Sequence, residues 1–162
     1  MGTIATEDYQ AVLRFIVEFA RVKPNSEAIY ISTLKATFSN AEWAGLSLSH
    51  RKAALRSLLG FSLDESNPWY PDIVAKVDEA LKAANCLTLS QARMKYSRKL
   101  AQILRKPKVR VLGDFLYLHG MLNSGLLSQE DAAVAKALVD EAEGKSASNW
   151  SPLRKIILSW RQ

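Results

Sequence analysis

The sequence predicts an all-α protein: a single compact domain, residues 1–162, of seven or eight helices around a central apolar helix at about 107–123. Three observations carry this. Apolar residues recur at helical spacing in nearly every segment, whereas strand-like alternation is confined to Lys108-Val109-Arg110-Val111, one run with no partner. Capping residues and helix breakers fall where those periodic runs begin and end. A chain of 162 residues, 48% hydrophobic and 23% charged, matches one ordinary globular core and not a disordered chain.

Thr6 precedes Glu7 and Asp8 and reads as the cap of a first helix, with acids in its first turn. Val12, Phe15, Ile16 and Phe19 form its stripe, and Pro24 closes it. Ser26 opens a second helix to about Phe38, with Ile29, Thr33, Leu34 and Phe38 as its expected buried face. Ser39-Asn40 breaks that helix, and Ala41–Leu46 reads as a single turn holding Trp43. Ser49 caps a short helix carrying Leu55, Leu58 and Leu59, which Gly60 ends. Ser62–Tyr70 reads as a loop, and Pro71 with Asp72 starts a helix to about Ala84 that buries Ile73, Val74, Val77 and Leu81.

Ser90 caps a basic helix that Pro107 terminates. The central segment follows, apolar on nearly every side; Leu112, Phe115, Leu116 and Leu122 are its expected core residues. Gly113 and Gly120, seven apart, offer one face where a neighbouring backbone can approach closely. Ser128 then caps a helix that Gly144 ends, and Ser151-Pro152 opens a last one with Leu153, Ile156, Ile157 and Trp160.

The charge is unevenly spread. The chain carries +6 overall, yet Ala80–Gly113 holds nine basic residues and no acid, which leaves 13 basic against 16 acidic residues elsewhere. A mildly acidic body with one strongly basic segment has the electrostatic profile of a polyanion binder. The alternative is a solvated face whose cations pair with carboxylates from other helices, Glu18 or Asp140 among the candidates.

A helical projection of the basic segment puts Leu89, Ala92, Tyr96, Leu100, Ile103 and Leu104 on one side, within about 60° of its centre. Lys95, Arg98, Lys99, Arg105 and Lys106 share the opposite face, and Lys108 and Arg110 continue the charge past Pro107. These seven are the candidate nucleic-acid-binding residues. Arg93 lies beside the apolar stripe, positioned to snorkel or to pair with a distant carboxylate. With no exposed aromatic in the patch, the expected mode is contact with the phosphate backbone and little sequence preference. Arg51, Lys52 and Arg56 make a possible second patch, and Arg154, Lys155 and Arg161 a third. Ala41-x-x-x-Gly45 has the spacing of a helix-turn-helix turn, but Arg51 falls where that motif needs an apolar residue.

The run Leu89-Ser90-Gln91-Ala92-Arg93-x-x-Tyr96, followed by Pro107-Lys108-Val109-Arg110 and an apolar helix, resembles the small helical subunits of CRISPR effector complexes. The resemblance covers about a fifth of the chain. It implies a basic, all-helical, non-catalytic protein lining a nucleic-acid path within a larger assembly.

Catalytic chemistry finds little footing. His50, Cys86 and His119 lack a second ligand at metal-binding spacing, so no metal is expected. The glycines form no phosphate-binding loop, and no cofactor is expected. Nothing near Cys86 in sequence lowers its pKa, and the adjacent acid pairs, such as Asp78-Glu79, point apart on a helix. The protein is therefore expected not to be an enzyme. A lone cysteine, no apolar run of membrane-spanning length and no secretory leader predict a cytoplasmic protein without integral membrane contact. Gly2 formally matches a myristoylation signal, but acids follow it in place of basic residues. Three functions stand: a nucleic-acid-binding subunit, DNA or RNA; an adaptor docking an acidic protein on its basic helix; and a peripheral protein bound to anionic lipid.

Overall fold

The computed structural model describes residues 2–149. The expected final helix and the basic residues Arg154, Lys155 and Arg161 lie outside them. The fold is all-α and compact, with nine helices among the described residues.

Helix α1 (Tyr9–Val22) buries the expected Val12, Phe15, Ile16 and Phe19, together with Tyr9 and Ala20. It starts later than Thr6 because that hydroxyl accepts a hydrogen bond from Lys52 Nζ (2.7 Å) instead of capping. Residues 6–8 form a turn ahead of it. Helix α2 (Ala28–Ser39) buries only Leu34. Of its expected face, Phe38 is half-buried, Thr33 is exposed and Ile29 is 73% exposed. Asn40 then caps α3 (Ala41–Gly45) by accepting from the Trp43 amide at 2.7 Å. Trp43 is buried, with its indole N–H on the Tyr9 hydroxyl (3.2 Å) and its ring against Phe38.

Helix α4 (Leu48–Ser66) is capped by Ser47, not Ser49, and runs straight through Gly60 and half of the expected loop. The apolar stripe explains this, since Leu63 follows Leu55 and Leu59 into the core. The serines that signal a loop bond the helix's own carbonyls, Ser62 to Leu58 (3.0 Å) and Ser66 to Leu63 (2.8 Å). Trp69 then stacks on Phe19, 5.6 Å between ring centres. Helix α5 (Pro71–Ala83) begins at the expected proline and buries Val74, Val77 and Leu81, with Ile73 half-buried.

The expected basic helix is two helices, α6 (Leu89–Tyr96) and α7 (Lys99–Leu104). Thr88, not Ser90, caps α6 in a reciprocal box with Gln91, while the Ser90 amide donates to Asp78 (3.1 Å). In an unbroken helix the Tyr96 carbonyl would receive the Leu100 amide. Here it receives the Gly2 amide at 3.0 Å, and the Ser97 hydroxyl accepts from the Lys99 amide at 3.1 Å. The far end of the chain thus competes for the carbonyl on which helix propagation depends.

Residues 105–111 are not helical, so α8 (Leu112–Asn123) starts five residues after Pro107. Phe115, Leu116, Tyr117, Leu118 and Met121 are buried, but Leu112 and Leu122 are only half-buried and Val111 is exposed. Gly120 faces side chains, the Arg93 guanidinium at 3.7 Å and Val74 at 3.9 Å from a Cβ placed there, and Gly113 faces open space. Neither takes a neighbouring backbone. Ser128 caps α9 (Gln129–Asn149) through the Asp131 amide (3.1 Å), and the helix continues past Gly144.

Buried apolar residues form two clusters. The first gathers residues from Ile4 to Tyr96, with α1 packed on α2, α4 and α5. The second is built by α7, α8 and α9. Contact between α5 and α8 joins them, and beside that contact lies the buried Arg93. No helix among the described residues is long and apolar enough to cross a membrane.

Candidate nucleic-acid interface

The seven cations of the basic segment divide into two sets. Lys95, Lys99 and Lys106 are held by carboxylates. Lys95 Nζ lies 2.6 Å from Asp8 in the turn before α1, a pairing that lowers the Asp8 pKa and raises that of Lys95. Lys99 (3.3 Å) and Lys106 converge on the two oxygens of one carboxylate, Asp114, in the first turn of α8. The expectation of five cations sharing a face without carboxylates therefore fails at three positions. The helix is interrupted at Ser97, and the carboxylates come from the ends of α1 and α8, not from Glu18 or Asp140. Glu18 instead pairs with Arg21 at 2.6 Å, and Asp140 with Lys136 at 2.8 Å.

Arg98, Arg105, Lys108 and Arg110 form the second set. All four are exposed, and none takes part in an ion pair among the described residues. Arg98 is the N-cap position of α7 and Arg105 its C-cap, so they stand seven residues, about 10.5 Å of axis, apart. Lys108 and Arg110 follow on the irregular connection to α8, where the buried Val109 anchors the chain and turns its neighbours outward.

Two clefts flank this row. At the α6–α7 break, Ser97, Arg98, Lys99 and Gln102 face Gly60 and Asp64 of α4 across about 300 Å³. At the other end of α7, Lys106, Pro107, Lys108, Arg110, Val111 and Asp114 line about 270 Å³. The second cleft has an apolar wall in Pro107 and Val111, the latter 54% exposed.

The possible second patch does not present three free cations. The Arg51 guanidinium lies over the Tyr9 ring at 5.7 Å, and Lys52 reaches Thr6. Of the three, only Arg56 is exposed. Lys52 and Lys95 thus both end on the turn at residues 6–8, from opposite halves of the sequence.

Arg93 is a buried residue, 1% exposed, and not a surface one. Its guanidinium donates to the Ser66 carbonyl and lies 5.0 Å above the Tyr117 ring. Burial pushes its pKa down to about 10, against the weaker opposing influence of Tyr117 and Asp78. Burial likewise raises the Tyr117 phenol, opposed by Ser97 and Arg93. Its place beside the apolar stripe was visible in the helical projection, but its partners lie on other helices and carried no sequence signal. Asp114 carried a faint one, as the first acid after the acid-free stretch and eight residues beyond Lys106.

The arrangement offers charge and hydrogen-bond donors at fixed spacing. Guanidinium forks present paired N–H groups to phosphate oxygens, and the lysines add point charges. Among the described residues no three His, Cys, Asp or Glu side chains gather as a metal site needs. No family model matches the chain, and no curated protein or solved structure matches it.

Proposed function

We propose that this is a non-catalytic nucleic-acid-binding helical protein, working as a subunit of a larger assembly and contacting the phosphate backbone without strong sequence preference. One observation carries the reading: Arg98, Arg105, Lys108 and Arg110 are exposed in a row with no carboxylate partner among the described residues. Four phosphate contacts imply that log affinity falls with log salt at a slope of roughly −3 to −4, the shallower value for a single strand.

The test is binding to generic DNA and RNA across salt concentrations. Reversing Arg98 and Arg105 to Glu should flatten the slope by roughly 1.5 to 2 and weaken all sequences alike. Both residues are exposed, so the helical circular dichroism should not change. A wild-type protein that binds no nucleic acid even at low salt overturns the reading.

The adaptor reading draws on a different observation. Ile29 and Phe61 are 73% and 63% exposed, apolar surface of the kind protein partners cover. Capture of an acidic protein, lost with the same two reversals and accompanied by no nucleic-acid binding, would select it.

A further inference from the structure

The cleft at the α7–α8 corner bears on which nucleic acid this surface takes. It holds about 270 Å³, below the roughly 300–1,000 Å³ of pockets for drug-sized ligands, so it suits one ring system. Pro107 and Val111 give it apolar surface, and Lys106, Lys108 and Arg110 stand around it. Cation, apolar wall, cation is the order in which a single strand presents phosphate, base, phosphate. The Arg110 guanidinium adds a plane on which a base can stack. Asp114 lies at the edge of the cleft, but Lys99 and Lys106 already occupy its carboxylate oxygens, so it does not set a bare negative charge against a strand.

We propose that this cleft is a subsite for one unpaired nucleobase, and that the nucleic acid bound here is therefore single-stranded. The inference rests on the phosphate-contact reading above. A duplex keeps its bases stacked inside and leaves the Pro107–Val111 wall wet. A single strand turns one base into the cleft and buries that wall while its phosphates keep the same cations.

Three probes of equal length separate the two ideas in the full chain: an oligothymidylate, the same backbone with abasic sites, and a duplex. Stacking of one base on a partly aliphatic wall falls at the low end of measured base contributions. The oligothymidylate should thus bind about fivefold tighter than the abasic strand, at a similar salt slope. Val111→Ser should erase that preference and leave abasic affinity unchanged. Val111 is exposed and is the N-cap position of α8, where serine is favoured, so the fold tolerates the change. Arg110→Lys, which keeps charge but loses the plane, should also lower the preference.

Equal affinity for thymidylate and abasic strands, with the expected salt slope, overturns the base subsite and leaves phosphate contact standing. Tighter binding of the duplex than of the oligothymidylate overturns it as well. Binding of none of the three, with capture of a poly-glutamate peptide instead, overturns both readings in favour of an acidic protein.

Discussion

Arg93 offers the sharpest test of how the two halves of the fold are held together. It is a buried cation with no carboxylate in ion-pair contact among the described residues, placed where the first apolar cluster meets α8. The drop in its pKa from the ordinary arginine value to about 10, with burial as the main cause, corresponds to a net penalty on the charged form of about 3 kcal/mol, at about 1.4 kcal/mol per pH unit. Arg93→Met removes the charge and keeps most of the volume. It forfeits a charged hydrogen bond to the Ser66 carbonyl, about 1.5–3 kcal/mol, and the contact over Tyr117, about 1–2 kcal/mol. The Ser66 carbonyl is not orphaned, because it also accepts from the Trp69 amide at 3.1 Å. A gain of about 3 kcal/mol against losses of about 2.5–5 leaves the methionine variant within about 2 kcal/mol of wild type.

Arg93→Ala differs in one respect: it also removes the buried aliphatic stem, leaving a cavity. Truncations of comparable long buried side chains cost about 2–5 kcal/mol. Urea unfolding, with midpoint and slope fitted separately, should therefore rank methionine near wild type and alanine well below. A methionine variant as unstable as the alanine variant would refute the reasoning. The guanidinium's polar contacts, and not its bulk, would then hold the junction.

Phe115, buried in α8 with its ring 5.8 Å from that of His119, should cost about 3–5 kcal/mol when truncated to Ala; a variant that melts with the wild type would move α8 out of the core. The Asp8–Lys95 pair bounds stability at both ends of the pH scale. Asp8, with its folded pKa lowered, contributes stability above its ordinary 3.8 that is lost as pH falls through the lower folded value. Lys95, raised, contributes below 10.5 and loses that contribution as pH rises through its higher folded value. Asp8→Asn should therefore flatten the acid limb of a stability-versus-pH curve, and an unchanged acid limb would show that the pair does not form in solution.

Sequence legibility followed the range of the interactions involved. Helices α1 and α5 were readable because each has an uninterrupted stripe and a local stop or start, Pro24 for one and Pro71 for the other. The break between α6 and α7 was not, because its cause is the Gly2 amide on the Tyr96 carbonyl, a contact between residues far apart in sequence. Ser62 and Ser66 misled for a local reason, since a serine that signals a loop can equally bond back onto its own helix. Ile29 misled because helical spacing reports which residues share a face, not whether another element covers it. The candidate site was legible in residue type and unreadable in pairing: local composition reports an acid-free segment, and only the fold brings Asp8 and Asp114 to it.

For the proposed phosphate contact, the paired lysines still matter. Seven cations, Lys95, Arg98, Lys99, Arg105, Lys106, Lys108 and Arg110, meet two carboxylates, which leaves a net of five positive charges on the segment. Asp114 serves two lysines at once, so either can turn to a phosphate while the other keeps the carboxylate satisfied. Lys106, roughly half-exposed at its side chain, is the one placed to do so, next to Lys108 and the α7–α8 cleft. Asp114 thus anchors the lysines at the corner and neutralises only part of their charge. On the proposed reading, the four cations unpaired among the described residues would make the first phosphate contacts, and the two lysines on Asp114 would add to them only where one of the pair leaves the carboxylate.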